Sequence, residues 1–193
     1  MLGTFGVATL ALLALPGPTN ALFAAAGASN GFPRSLPLIG FAIAGYGMAI
    51  SCLMALFGAA GGGSPLLFTA LRFGAGAWLL WSAWRLWGLP AQSPASLVAT
   101  RERLFVTSLL NPKALVFASA IFPSSEAASL PVRVAIFMLG VAATGSAWIA
   151  IGRYITETAA EAATPRRIAR ISAVVLLGFA LWVIGWAVAS LIR

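Results

Sequence analysis

The stretch SLLNPKALVF, residues 108–117, decides how this chain must be read. It lies in an apolar run, yet it carries Asn111, Pro112 and Lys113 side by side. A proline inside a helix removes one backbone hydrogen bond and clashes with the preceding turn. A lysine at the centre of a bilayer costs ~2.5–3.5 kcal/mol on insertion scales. A membrane helix that accepts both needs a polar partner for each.

The membrane reading comes from composition. The 193 residues are 61% hydrophobic and 8% charged, with mean hydropathy +0.97. Soluble domains are about 25% charged, and one soluble core of this length could not hide so much apolar surface. The fold class expected is an all-α polytopic membrane protein, a single membrane domain over residues 1–193. The formal charge of +8 does not indicate nucleic acid, because the 12 basic residues form no single patch. Cys52 is the sole cysteine, which excludes an internal disulfide and a dithiol redox pair. Histidine and aspartate are absent, so no conventional metal site is expected, and no cofactor. The opening MLGTFGVATLALLALPGP has no basic residue before its apolar run and reads as a mature helix, not a cleaved signal.

Six apolar stretches have spanning length: 4–26, 36–60, 66–87, 104–122, 132–154 and 171–192. The first is interrupted by Pro16-Gly17-Pro18 and the fourth by Pro112. Residues 88–103 and the stretch TETAAEAATPRRIAR read as polar loops. Six crossings put Arg34, Arg85, Arg101, Arg103, Arg153, Arg166, Arg167 and Arg170 on one side, against Arg133 and Arg193 on the other. The positive-inside rule makes the first side cytoplasmic and both termini periplasmic. Arg72 and Lys113 remain inside spans; Arg72, roughly 10 Å deep, can reach the surface along its stem, whereas Lys113 is near the midplane.

The halves resemble each other. Gly40 pairs with Gly140, Ala42 with Ala142 and Gly45 with Gly145; Gly74 pairs with Gly178 and Trp78 with Trp182; Pro16 pairs with Pro112. Three spans followed by three spans make the second half enter from the opposite face, a 3+3 inverted repeat. In transporters built this way, broken helices at corresponding positions mark a binding site at the midplane. Gly40, Gly45, Gly140 and Gly145 are the helix-packing candidates; such small residues pack helices within a subunit or between subunits of a homo-oligomer.

At the breaks, Pro16 and Pro18 cannot donate to the carbonyls of Leu12 and Ala14, nor Pro112 to that of Ser108. Asn20 and Asn111 bring amides, Gly17 permits close approach, and Lys113 adds a full charge. A carboxylate suits the lysine and the helix N-termini; freed carbonyls suit an ammonium. A zwitterion therefore fits better than a simple ion.

These residues carry a resemblance. LPGPTNALFAAAGASNG followed by Gly40, LRFGAGAWLLWSAWRLW, and RERLFVTSLLNPKALVFASAIFP with its Asn111-Pro112-Lys113-Ala114 run are similar to signatures of the LysE/RhtB family of amino-acid exporters. The motif match covers roughly residues 12–125, and the span layout nearly the whole chain. The resemblance implies a six-span, proton-motive exporter of amino acids or close derivatives in the bacterial inner membrane, not an enzyme. It implies a translocation region containing Pro16, Gly17, Pro18, Asn20, Arg72, Asn111, Pro112 and Lys113. Thr19 belongs to the same region but departs from the family, where an acid or amide is frequent. Leu104 after Arg103, and Ser35, also depart from the pattern.

None of Glu102, Glu126, Glu157 and Glu161 falls inside a span, which leaves Lys113 as the candidate proton carrier and disfavours a dibasic substrate. The competing readings are a metal-ion or other small-solute exporter of the same superfamily and a non-transporting membrane protein. The first lacks intramembrane ligands; the second leaves paired breaks and a buried lysine without a purpose.

Overall fold

The computed structural model describes residues 2–59, 65–88, 99–122, 129–158 and 163–191, and all its elements are helical. They are α1 (Leu2–Ala14), α2 (Pro18–Asn30), α3 (Phe32–Ser35), α4 (Leu38–Ala59), α5 (Pro65–Trp87), α6 (Arg101–Leu109), α7 (Pro112–Val116), a π-helical turn (Phe117–Ile121), α8 (Leu130–Thr158) and α9 (Ala163–Leu191). Among the described residues, two helices are long and apolar enough to cross a membrane, Phe32–Phe57 and Leu130–Thr158. The bent pair Leu2–Ala14 with Pro18–Asn30 makes a third if it counts as one span.

Both proline interruptions break their helices. Between α1 and α2 the chain turns by 64°. Gly17 is fully extended there, with φ −172° and ψ 177°, as a residue before proline prefers. Pro18 then opens α2, at the one place where its missing N–H is harmless. Gly31 closes α2 with φ 75°, a left-handed conformation that suits glycine, and its N–H reaches the carbonyl of Gly27. In the fourth apolar run, Thr100 caps α6 by accepting from the Arg103 N–H at 3.2 Å. Leu110 and Asn111 leave the helix, and α7 restarts at Pro112.

The polar stretch TETAAEAATPRRIAR is more helical than its composition suggested. The helix α8 runs 29 residues, through Thr158, and α9 begins at Ala163; residues 159–162 lie outside the described set. Arg153 and Glu157, one turn apart, pair at 2.7 Å on the surface of α8. Alanine favours helix wherever no tertiary contact opposes it. Likewise Arg101–Arg103 of the expected loop 88–103 belong to α6, whereas residues 89–98 lie outside the described set. Arg133, expected at the outer end of the fifth span, lies in the first turns of α8 and is buried.

Two packing units emerge. The larger joins α1, α2, α4, α6, α7 and α8 around one buried cluster that includes Leu13, Phe23, Tyr46, Leu104, Phe117, Phe137 and Ile149. The smaller is the pair α5–α9, closed by Leu79, Ala83, Leu176, Ala180 and Val183. It touches the larger unit through α7.

Contacts fix the helix directions. Gly6 lies near Ile136, Gly140 near Thr9 and Leu13, and Gly27 against Ile149, so α1–α2 and α8 run parallel. Phe41 faces Arg101 and Gly45 lies against Phe105, so α4 and α6 run parallel. Arg72 faces Trp186, Gly76 faces Ile184 and Trp87 faces Arg170, so α5 and α9 run antiparallel.

Candidate functional site

The two breaks meet. Lys113 stands at the second position of α7, 4% exposed. Its backbone N–H is held by the Asn111 side-chain oxygen at 3.0 Å, an N-cap that fixes where the lysine stem starts. The stem crosses the gap, and Nζ donates to the carbonyls of Leu15 at 2.6 Å and Leu13 at 3.2 Å. Those carbonyls end α1, where the helix dipole presents negative charge and a cation is stabilised. Asn20 reaches back from α2, its Nδ2 donating to the same two carbonyls, each at 2.8 Å. The bonded carbonyls are thus Leu13 and Leu15, each one residue after the Leu12 and Ala14 positions that the proline spacing singles out. Extended Gly17 shifts the acceptors by lifting the chain out of helical register before α2 begins.

Gly17 is also the floor under the lysine stem. A Cβ built there would sit 3.6 Å from Lys113 Cε and 3.7 Å from Nζ. A methyl fits at that distance, but anything longer enters the space of the stem.

Beside the ammonium lies a hydroxyl cluster. Thr19 Oγ1 accepts from Asn111 Nδ2 at 2.9 Å and from the Tyr46 hydroxyl at 3.4 Å, and lies 3.3 Å from Ser108 Oγ. All four residues are at least 95% buried. Four elements, α2, α4, α6 and the α6–α7 break, thereby converge on one oxygen. Ser108 and Tyr46 were not among the expected site residues. Tyr46 carries a legible signal, as one of two tyrosines in the sequence and the one inside an apolar run.

Four residues after Lys113, Phe117 begins a phenylalanine cluster. Phe117 stands edge-on to Phe137 at 4.8 Å between centroids, Phe137 to Phe122 at 6.0 Å, and Phe122 to Phe5 at 5.5 Å. Phe137 also meets Tyr46 edge-on at 6.0 Å, which ties this cluster to the hydroxyl cluster. Such edge-to-face pairs each contribute about 0.5–1.5 kcal/mol beyond the area they bury.

The structure brings together Gly17, Thr19, Asn20, Asn111 and Lys113, with Pro16, Pro18 and Pro112 as the breaks that expose them. Arg72 is placed on α5, its guanidinium stacked over Trp186 of α9 at 3.7 Å. Of the packing glycines, Gly45 lies against the Phe105 carbonyl, Gly140 against Leu13 and Thr9, and Gly145 against Phe23 and Ile39. Gly40 faces open space. The closest crossing involves Gly27 and Gly152, where an added Cβ would stand 1.9 Å from the carbonyls of Ile149 and Ala24 respectively.

Comparison with known proteins bears on the family of the chain. The family model described as LysE type translocator matches residues 10–188, nearly the whole chain. The chain belongs to the LysE type translocator family. No curated protein and no solved structure matches it. Family and apolar helices together make it a multi-pass membrane protein of the translocator kind.

Proposed function

We propose that this LysE type translocator exports amino acids or closely related zwitterionic solutes across a bacterial inner membrane, through a site at the junction of the two breaks. The observation that carries this reading is the Lys113 ammonium seated on the Leu13 and Leu15 carbonyls. That seat is one a substrate ammonium can take, and the lysine displaced from it is a partner for the substrate carboxylate. In the arrangement observed, lysine and Asn20 together satisfy both carbonyls, so the empty carrier leaves no charge exposed in the bilayer interior. Binding is then an exchange of one set of charge-assisted bonds for another, which keeps the affinity modest, as a carrier requires.

Six crossings in a 3+3 inverted repeat support the alternation of access. Under such a repeat the first span corresponds to the fourth, the second to the fifth and the third to the sixth. The parallel packing of α1–α2 on α8 then corresponds to that of α6 on α4, and the antiparallel pair α5–α9 corresponds to itself. That correspondence supports the inverted-repeat reading. A metal-ion substrate is disfavoured by a sequence with neither histidine nor aspartate.

The test is efflux from proteoliposomes loaded with each neutral standard amino acid, comparing wild type with Lys113→Met. Wild type is expected to carry at least one of them, and Lys113→Met to lose that transport by about tenfold or more, the worth of one charged hydrogen bond. Wild-type vesicles that carry none, or a mutant as active as wild type, would remove the exchange mechanism.

A further inference from the structure

Beyond Lys113 the same face of α1 holds a polar group that the junction does not use. Phe5, Thr9 and Leu13 follow one another at four-residue intervals, so they stack along one side of the helix about 6 Å apart. Leu13 supplies a carbonyl to Lys113. Thr9 is 0% exposed, and its hydroxyl makes no hydrogen bond among the described residues. A helical threonine normally returns its hydroxyl to a carbonyl one turn back, as Thr144 does to Gly140 at 2.7 Å. Thr9 forgoes that bond, and its methyl group lies against Gly140 of α8. A buried hydroxyl without a partner is unfavourable by ~1–3 kcal/mol and calls for an explanation.

One turn further along this face is a second buried cation. Arg133 of α8 is 6% exposed, with its guanidinium over the Phe5 ring at 5.0 Å and Nη1 3.4 Å from the Ile121 carbonyl. That carbonyl belongs to the π-helical turn that begins at Phe117, directly after α7. Anchoring the π turn accounts for one long bond of Arg133. It does not account for Thr9. From the break toward the start of α1 the order is therefore Lys113 on Leu13, then the Thr9 hydroxyl, then Arg133 over Phe5. Along α1 the Thr9 position falls between the residue whose carbonyl holds one cation and the residue whose ring holds the other.

We infer that Thr9 and Arg133 form a second carboxylate-binding station for the transported solute, occupied after it leaves Lys113. The inference rests on the transport reading above. When Phe117 and Phe122 part, the carboxylate moves from the ammonium to the guanidinium, and the Thr9 hydroxyl donates to it between the two. An α-carboxylate is the group selected, because the guanidinium only donates, the orphan hydroxyl has a proton to share, and the guanidinium charge favours an anion over a carboxamide.

Thr9 allows a crossed test. Thr9→Val keeps the methyl against Gly140 and deletes the hydroxyl; Thr9→Ser keeps the hydroxyl and deletes the methyl. Proteoliposome transport is measured for the neutral standard amino acids, each beside its carboxamide, together with thermal unfolding of the purified protein. The expected result is a KM for the amino acid raised by about tenfold in Thr9→Val, at unchanged or higher thermal stability, with near-normal transport in Thr9→Ser. Arg133→Gln is expected to narrow the preference for acid over carboxamide by a similar factor, and Arg133→Lys to keep most of it. The reverse order, valine active and serine impaired, would assign Thr9 to packing and overturn the station. So would equal loss of acid and carboxamide transport in every folded variant. Wild-type vesicles that carry no amino acid would instead sink the transport reading itself, and the station with it.

Discussion

Thr19 and Thr9 are both buried threonines in the first apolar run, and they predict opposite responses to the same substitution. Thr19 Oγ1 is the acceptor on which Asn111 Nδ2 and the Tyr46 hydroxyl converge. Thr19→Val leaves two buried donors without that acceptor, so a loss of about 1–3 kcal/mol is expected. Thr9→Val removes an orphan and is expected to be neutral or stabilising. Thermal unfolding in one detergent, both variants beside wild type, checks the contrast; Thr19→Val as stable as wild type would mean that its hydrogen bonds contribute nothing net. Part of this difference was legible in the sequence, where Thr19 stands between Pro18 and Asn20 at the break; that Thr9, among alanines and leucines, would be buried without a partner among the described residues was not. Lys113 was legible, because a lysine beside a proline in an apolar run needs a partner wherever the chain folds. Which carbonyls would serve was not, since extended Gly17 moves the acceptors to Leu13 and Leu15.

At the scale of elements, the crossing of α2 with α8 is set by two glycines. A Cβ at Gly27 would meet the Ile149 carbonyl, and one at Gly152 the Ala24 carbonyl, each at 1.9 Å, with backbone on both sides and no flexible side chain to yield. Gly27→Ala and Gly152→Ala are each expected to destabilise by about 1–3 kcal/mol, as overpacking does. Gly40→Ala, which meets open space, is expected to be neutral or slightly stabilising through helix propensity. Thermal midpoints of the three purified variants rank the effects; a Gly27→Ala midpoint equal to wild type would mean the crossing is looser than the structure shows. Glycine spacing carried part of this. Gly145 and Gly152 fall seven residues apart on α8, on the buried face that also includes Phe137 and Ile149. Gly40 and Gly45 have the same five-residue interval as Gly140 and Gly145, but of the first pair only Gly45 meets a neighbouring helix, so spacing alone did not separate them. Arg133 was legible as a residue at the end of the fifth span; that its side chain is buried against a carbonyl and a ring was not. In lipid a helix continues through a charged residue whose side chain finds a carbonyl and a ring.

The whole molecule poses the question of sidedness, and the helix directions bear on it. Parallel α1–α2 and α8 require an even number of chain reversals between them, as do α4 and α6, whereas antiparallel α5 and α9 require an odd number. Six alternating crossings meet all three conditions. The proposed inverted repeat would relate the first, second and third spans to the fourth, fifth and sixth by a reversal, with the two breaks at mid-depth. Under that proposal the positive-inside rule sets the direction: Arg34, Arg101, Arg103, Arg153 and Arg170 are exposed, at ends that six crossings would put on one face. Trp84 and Trp87 lie exposed toward that face, and Arg170 stands over Trp87 at 5.4 Å, as suits an interfacial belt. Cys52 is the single native thiol, so a Cys52→Ala background makes any introduced cysteine the sole target of a membrane-impermeant thiol reagent. Arg34→Cys and Arg153→Cys in that background are expected to label in inverted vesicles and to stay protected in intact cells. Thr4→Cys, at the opposite end of the first apolar run, is expected to label in intact cells. Labelling of Arg34→Cys and Thr4→Cys from the same side would break the first crossing, and with it the placement of the Lys113 junction at the centre of the bilayer.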